Sequence, residues 1–178
     1  RNSGGSVLEG FIHELDCTRS VFGTVAGVSA DIAGGREYDG YLSPQTVQGL
    51  IRFESGALVT ARTGSAVGVP SRGYWVGGTE AGLRFDRWGQ PVLLYRPEQE
   101  GPEEVAAEVN NPYTVELEDL LAAVHGDIDE PENSGRNGLE NVGLGLAFYR
   151  SCETGTRVPF TDGLPDLPMS YQNTEFNF

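Results

Sequence analysis

The chain has 178 residues, which suits one domain whose folding buries roughly 70% of the surface that the unfolded chain exposes. Its 12 basic and 26 acidic side chains give a net charge of -14, so extended contact with nucleic-acid phosphates or an anionic membrane is electrostatically unfavourable. All the basic residues are arginine, which excludes a lysine Schiff base or a Walker A lysine within this chain.

The start of the chain and its cysteines set expectations about its context. No initiator methionine and no strand precede the first helical pattern, so we expect the chain to be cut from a longer protein. Cys17 and Cys152 are too few for a disulfide framework, and the sequence has no signal-peptide pattern and no apolar run that could span a bilayer. The sequence therefore predicts a cytoplasmic protein without a membrane partner.

The first predicted element is a helix over residues 6–22. Apolar residues recur there at helical spacing, and Gly23 then offers the left-handed conformation in which helices commonly end. The recurring residues are Val7, Leu8, Phe11, Ile12, Leu15 and Phe22.

Short β-rich runs punctuated by glycine and proline follow as far as about residue 109. Residues 54–56, Glu-Ser-Gly, separate two of these runs, and a glycine at the end of so short a turn indicates a hairpin. The runs that we predict as strands are residues 25–32, 46–53, 57–67, 73–77, 82–85 and 92–95.

Two further helices are predicted after the strands. Residues 114–124 carry an apolar helical face that ends before Gly126, and residues 139–152 carry another that ends before Gly155. Because no βαβ unit occurs, this order predicts an α+β fold: an open, mainly antiparallel sheet of about six strands with helices packed on one face. Residues 159–178 show little periodicity, so we expect an extended tail after a domain of residues 1–158.

Candidate chemistry lies on the first helix. At about 100° per residue, Glu9, His13 and Asp16 fall within roughly 60° of one another around its axis. A carboxylate one turn from a histidine can orient the ring and raise its proton affinity, as a general base for an alcohol proton requires. The alternative is that these residues are simply the hydrated face of an amphipathic helix, and spacing alone favours that alternative.

The other candidates are predicted to be structural. His125 stands in the last turn before Gly126, where an imidazole commonly caps carbonyls and complements the helix dipole. The acidic residues 127–132 lack the central glycine and the final glutamate of a calcium loop. Gly143 and Gly145 lie within a predicted helix, unlike the glycines of a dinucleotide fingerprint, and the scattered histidines and cysteines show no metal-ligand spacing.

One segment gives evidence beyond the spacing of its residues. The sequence GGSVLEGFIHELD at residues 4–16, continuing to Arg19 and Gly23, resembles the G-G-x-x-x-D-x-x-x-H-x-x-D segment of one oxidoreductase family. That segment opens the C-terminal domain of the glucose–fructose oxidoreductase, inositol dehydrogenase and rhizopine catabolism (Gfo/Idh/MocA) family. The IHELD run is closest to the inositol dehydrogenase branch.

Later segments resemble the same family in the expected order, from about residue 4 to residue 158. GLIRFESGAL at residues 49–58 resembles its central hairpin, and VGGTEAG at residues 76–82 resembles its next turn. SGRNGL at residues 134–139 and YRSCETG at residues 149–155 resemble its last helix and exit. Several short motifs in one order are more specific than any one of them.

The resemblance implies the substrate-side, C-terminal domain of an NAD(P)-dependent dehydrogenase, preceded in the whole protein by a Rossmann domain that holds most of the cofactor. His13 matches the family's catalytic histidine, and Glu9 stands where the family usually has the shorter aspartate. Asp16 matches an acidic residue that contacts substrate hydroxyls in the inositol branch. Arg72 and Tyr74 are the nearest candidates for a tyrosine that some of its members place before the Val-Gly turn.

The implied reaction removes a hydroxyl proton with His13, oriented by Glu9, as hydride leaves the same carbon for NAD or NADP. Asp16 would position a neighbouring hydroxyl of a polyol, cyclitol or sugar. The family's catalytic lysine belongs to the Rossmann half, so we expect this chain alone to be inactive.

An open sheet leaves one face uncovered, and an exposed apolar face usually marks an interface, so we also expect a homo-oligomer formed through the sheet. The alternative function is a non-catalytic interaction module whose sheet pairs with a second copy.

Overall fold

Three helices and nine strands occupy the part of the chain that this computed structural model describes, which is residues 5–38, 41–64, 73–86, 90–106 and 110–168. In chain order they are a π-helical turn (Val7–Phe11), α1 (Ile12–Phe22), β1 (Val25–Tyr38), β2 (Tyr41–Phe53), β3 (Leu58–Gly64), β4 (Tyr74–Gly77), β5 (Gly82–Phe85), β6 (Val92–Tyr95), β7 (Glu103–Val105), α2 (Pro112–His125), α3 (Gly135–Thr154), β8 (Val158–Thr161) and β9 (Leu164–Pro165). Each of the six predicted runs overlaps one of the strands β1 to β6, although β1 and β2 extend beyond their predicted runs to Tyr38 and Tyr41. The α+β fold with antiparallel strands is confirmed.

The strands divide into two antiparallel sheets. One has five strands in the order β3-β2-β1-β8-β9, and the other has four in the order β4-β5-β6-β7. The prediction of about six strands in one sheet missed the short strands β7, β8 and β9, and the strands divide between two sheets. By its internal contacts the chain separates into two units, Arg1–Val67 with Glu132–Phe178, and Gly68–Pro131.

The hairpin between β2 and β3 forms where the sequence predicts it. Gly56 adopts a φ of 89°, a left-handed conformation that glycine reaches at little cost. Its N–H donates to the Phe53 carbonyl at 3.0 Å, and the Phe53 N–H donates to the Ala57 carbonyl at 3.0 Å. This tight turn fixes the register in which Ile51 pairs with Val59.

In the first unit, α1 and α3 pack together and α3 packs on the five-stranded sheet. Phe11 and Phe148 meet edge to face with ring centroids 5.9 Å apart, and Gly49 on β2 leaves the room that the Phe148 ring fills. The buried apolar residues of this core are Val7, Phe11, Leu15, Val25, Val28, Ile32, Val47, Ile51, Phe53, Ala61, Leu144, Ala147, Phe148, Tyr149 and Val158. The core therefore lies between the two helices and one face of the sheet.

The segment predicted as a tail begins as part of the sheet. β8 pairs antiparallel with β1, β9 pairs with β8, and Phe160 and Leu167 pack against the core. Residues 159–161 and 164–165 are therefore paired strands where we expected an extended tail. The partner of β8 on β1 lies more than a hundred residues away, so that pairing leaves no local pattern in the sequence. The remaining residues 169–178 lie outside the described part.

Side-chain caps place both later helices slightly outside their predicted bounds. Asn111 accepts a hydrogen bond from the Tyr113 N–H at 3.0 Å, so α2 begins at Pro112. Ser134 accepts one from the Asn137 N–H at 3.2 Å, so α3 begins four residues before the first apolar residue of its pattern. Within the described ranges, no helix is long and apolar enough to cross a membrane.

Candidate functional site

The first helix places the three predicted site residues on its outer side. Glu9 and His13 are exposed, and Asp16 is about half-buried, with a side-chain exposure of 40%. Val7, Phe11 and Leu15 on the opposite side are buried in the core. Rotation of the helix about its axis would expose this apolar face to water. Burial of the apolar face therefore fixes the direction in which the polar face points.

The helix is not α-helical throughout. Val7–Phe11, which includes Glu9, forms a π turn whose hydrogen bonds reach one residue further than those of an α-helix. Each residue of such a turn advances by fewer degrees, so the spacing of 100° per residue does not hold from Glu9 to Phe11. Turns of this kind are frequent at functional sites.

Glu9 and His13 share a face without forming a described contact. Among the described residues, no hydrogen bond or ion pair joins Glu9, His13 and Asp16 to one another. Exposure of Glu9 and His13 fits a cleft-lining pair and also fits a hydrated helix face. Their roles therefore remain predictions.

Asp16 differs from the other two because α3 holds it. Its Oδ1 accepts hydrogen bonds from the side-chain amides of Asn137 at 3.2 Å and Asn141 at 2.6 Å. The Nη1 atom of Arg19, one turn further along α1, lies 3.9 Å from the same oxygen. Asp16 is therefore held by side chains from both helices.

Arg19 completes this network beneath Asp16. Its guanidinium is 11% exposed and donates to Asn137 Oδ1 at 2.8 Å and Asn141 Oδ1 at 2.5 Å. A second donor of Arg19 bonds Glu140, which also accepts from Arg136. Spacing could not reveal this cluster, because its members come from segments more than a hundred residues apart.

Tyr149 is a site neighbour that the sequence analysis did not identify. Its side chain is fully buried, and burial together with the nearby negative charge of Glu9 raises its pKa to about 12, against a partial lowering by the backbone N–H of Val7. The phenol thus lies beneath the π turn that carries Glu9. In the sequence, Tyr149 belonged to the apolar pattern of the third predicted helix and to the YRSCETG motif, and neither signal placed it beside Glu9.

The other two predicted substrate residues lie elsewhere in the chain. Tyr74 is on β4 in the unit Gly68–Pro131, half-buried, with its ring 5.9 Å from that of Phe85. Arg72 lies outside the described residues. Both assignments remain predictions.

His125 ends α2, as its predicted position in the last turn requires. The carbonyls of Ala122 and Ala123 there accept backbone N–H groups of Gly126 and Asp127, and Gly126 is left-handed. Gly126 and these backbone hydrogen bonds therefore end the helix. The exposed imidazole of His125 lies near the negative end of the helix dipole.

Cys152 is a partly buried free thiol. Its Sγ lies 3.8 Å from Asp31 Oδ1, and burial raises its pKa, with the charge of Asp31 acting in the same direction. A raised pKa disfavours the nucleophilic thiolate.

The described residues do not form a cradle for a dinucleotide. The described strand pairs are all antiparallel, and Gly143 and Gly145 belong to α3. A Cβ at Gly143 would lie 2.8 Å from Pro165 Cδ, and a Cβ at Gly145 would clash with the Leu8 side chain. The space beside both glycines is therefore filled by residues of β9 and of the π turn. Within the same residues, no three His, Cys, Asp or Glu side chains converge as metal ligands.

Comparison with known sequences identifies a family. The model of the "Oxidoreductase family, C-terminal alpha/beta domain" matches residues 1–160. A curated relative, 1,5-anhydro-D-fructose reductase of Ensifer adhaerens, is 26% identical over 173 residues, which make up 90% of this chain and 49% of the relative. The chain thus spans about half the length of that relative.

Solved structures show the same fold. The aldose-aldose oxidoreductase of Caulobacter crescentus, complexed with glycerol, matches with a TM-score of 0.73 and 22% identity over 88% of this chain and 48% of that one. An oxidoreductase from Agrobacterium radiobacter, in complex with NAD+, L-tartaric acid and magnesium, matches with a TM-score of 0.67 and 19% identity over 86% and 48% of the two chains.

Proposed function

The chain belongs to the Gfo/Idh/MocA oxidoreductases, as a C-terminal alpha/beta domain, and we propose that it forms the substrate side of an NAD(P)-dependent enzyme acting on a polyol, cyclitol or sugar. The observation that carries this proposal is the outer face of the first helix. There, the positions matching the family's catalytic histidine and its neighbouring carboxylates, His13, Glu9 and Asp16, are exposed or half-exposed above a buried apolar side.

In this proposal His13 is the general base. A neutral, exposed imidazole can take the proton of a bound hydroxyl on the ring nitrogen that faces the substrate. Glu9, which precedes it by one turn, would accept the proton on the other ring nitrogen and so orient the ring. The hydride chemistry belongs to the nicotinamide cofactor, which we place outside the residues described.

Asp16 would bind a second hydroxyl of the substrate. A carboxylate accepts hydrogen bonds from hydroxyl groups, and such charge-assisted bonds are stronger than neutral ones. Two hydroxyls held one helical turn apart favour a substrate with neighbouring hydroxyl groups. The name of the Ensifer adhaerens relative, a reductase of an anhydro-sugar, supports the same class.

The test is an assay of the whole enzyme that contains this chain. Oxidation of myo-inositol with NAD+, oxidation of D-glucose with NADP+ and reduction of 1,5-anhydro-D-fructose with NADPH would be followed by the absorbance of the reduced nicotinamide. We expect turnover of at least one of the three. An enzyme that converts none of them, although folded, would contradict the proposed substrate class.

A companion test concerns the cofactor. Because the described residues offer no dinucleotide cradle, we expect NADH and NADPH to bind this chain no more tightly than millimolar in a calorimetric titration. Micromolar binding would show that this chain carries a cofactor site, and would overturn the division of labour proposed here.

A second proposed role is self-association through the five-stranded sheet, which one observation favours. The helices cover one face, while the outward side chains of β2 and β3 include the exposed Leu50 and Leu58, at 42% and 55%. The surrounding outward residues are polar: Gln48, Arg52, Thr60 and Arg62. Apolar residues within a polar surround are typical of separable protein interfaces.

Light scattering tests this role. We expect a dimer or larger species that Leu50→Arg dissociates, while the control Val21→Arg, at an exposed position on α1, leaves it intact. A monomer at high concentration would contradict sheet-mediated association.

A further inference from the structure

The network under Asp16 is asymmetric with respect to the two oxygens of its carboxylate. The described contacts, from Asn137, Asn141 and Arg19, all fall on Oδ1. Among the described residues no hydrogen bond reaches Oδ2, and the side chain keeps 40% of its exposure. One oxygen is therefore anchored in the helix interface, the other carries no hydrogen bond from the described residues, and the side chain is partly exposed.

The chemistry of the partners fixes the orientation of both amides. Arg19 carries only donors, so the amide oxygens of Asn137 and Asn141 must face it. An ionised carboxylate only accepts, so the amino groups of the same two residues must face Asp16. A flip of either amide would break both of its contacts at once.

Burial makes this orientation persistent. Asn141 is only 7% exposed, and a buried polar group that loses its partner cannot replace it with water at no cost. The two asparagines also lie one turn apart on α3, so the helix backbone sets the distance between their amides. The carboxylate of Asp16 is therefore held in place before any ligand arrives.

We propose that Asn137 and Asn141 are positioning residues, which fix Oδ1 of Asp16 so that Oδ2 is presented to a substrate hydroxyl. This inference rests on the proposed function, in which Asp16 binds substrate. Preorganisation of this kind lowers the entropy lost when the hydroxyl binds, so its effect falls on substrate binding more than on turnover.

The decisive variant is Asn141→Asp in the whole enzyme. The new side chain has the same shape and keeps an oxygen for Arg19, but it replaces the amino donor to Asp16 by a second negative oxygen. We expect the KM for the substrate converted fastest, among myo-inositol, D-glucose and 1,5-anhydro-D-fructose, to rise about tenfold, with a smaller change in kcat.

The double variant Asp16→Asn with Asn141→Asp separates positioning from a purely structural clamp. It restores the hydrogen bond between α1 and α3 with its direction reversed and keeps the wild-type charge. We expect the melting temperature to recover while the KM stays high, because position 16 no longer has a carboxylate. If the KM recovers with the melting temperature, the network is a clamp and the proposal is overturned.

A matched control removes a different buried hydrogen bond of the same helix. Ser151 on α3 accepts from the Ala30 N–H at 2.9 Å and donates to the Thr156 carbonyl at 2.7 Å, so Ser151→Ala should destabilise the fold. Its KM should stay within twofold of the wild type. An equal rise in KM there, or an unchanged KM in Asn141→Asp, would overturn the proposal.

Two further outcomes have defined meanings. If Asn141→Asp does not fold, Asn137→Asp makes the same exchange at the half-buried position, and its KM decides the question. If the wild-type enzyme converts none of the three compounds, the proposed function fails before any variant is compared, and this inference fails with it.

Discussion

Glu9 and Asp16 flank the same histidine, yet their surroundings differ. Asp16 is held by two amides and lies near an arginine, whereas Glu9 stands exposed on a π turn above the buried phenol of Tyr149. The longer glutamate side chain has one more rotatable bond than the aspartate usual in the family. That extra bond leaves the carboxylate freer to move, so Glu9 should orient the His13 ring no better than an aspartate would.

Substitutions at Glu9 test this role directly. Because Glu9→Asp restores the residue usual in the family, we expect unchanged or improved kcat in the whole enzyme, whereas Glu9→Ala should lower kcat about tenfold or more. Steady-state kinetics of both variants would give the answer. Activity that is indifferent to Glu9→Ala would falsify the Glu9–His13 pair.

The raised pKa of Tyr149 predicts how stability changes at high pH. Its pKa is raised from 10.0 to about 12 in the folded chain, so the unfolded state loses the proton first as pH increases. Between those values the unfolded state binds fewer protons than the folded one, so the free energy of unfolding falls with pH, by up to about 1.4 kcal/mol per pH unit. Below pH 10 this contribution is fully present.

Urea unfolding of the chain at several pH values measures the effect. We expect the wild type to lose stability relative to Tyr149→Phe between about pH 10 and about pH 12, since phenylalanine has no proton to lose. A constant difference between the two proteins across that range would show that the phenol is not perturbed by burial.

At the scale of elements, substitutions of two glycines in α3 distinguish the effect of helix propensity from the effect of packing. A Cβ at Gly138 would meet nothing within 4 Å, whereas one at Gly143 would lie 2.8 Å from the Pro165 ring of β9. Both substitutions to alanine gain the same helix propensity, about 0.5–1 kcal/mol. Only the second must displace a strand.

We therefore expect Gly138→Ala to stabilise the chain and Gly143→Ala to be less stable than Gly138→Ala by about 1–3 kcal/mol, as for other overpacked sites. Chemical denaturation of both variants measures this difference. Equal stability would mean that β9 does not pack tightly on α3.

The elements also show what local sequence determines. β1 to β6 and all three helices follow from apolar period and from turn glycines such as Gly56, because both signals act within a few residues. β8 and β9 could not be predicted, because their four and two residues are stabilised by pairing with β1 and packing on α3.

The same distinction holds for the candidate site. Glu9, His13 and Asp16 were found because their spacing lies within one helix and within one motif. The anchoring of Asp16 by Asn137 and Asn141 was not, because amides on a distant helix give no periodic signal. The π turn also escaped prediction, since the apolar pattern around Gly10 fits an α-helix equally well.

For the whole molecule, the proposed function is a division of labour between two halves. This chain spans about half of its curated relative. Under the proposed function, it supplies the groups that bind hydroxyls and accept the proton. In the proposed enzyme the outer face of the first helix meets the substrate, and the remaining half supplies the cofactor.

The most direct test of this account is the turnover of the whole enzyme after His13→Ala. A general base contributes typically 10²–10⁴-fold to the rate, and an exposed side chain contributes little to folding, so we expect turnover to fall by that factor with an unchanged melting temperature. His125→Ala, at the chain's other histidine and also exposed, is the matched control and should leave both quantities unchanged. If His13→Ala turns over as fast as His125→Ala, the outer face of the first helix is merely hydrated and the proposed active site is wrong.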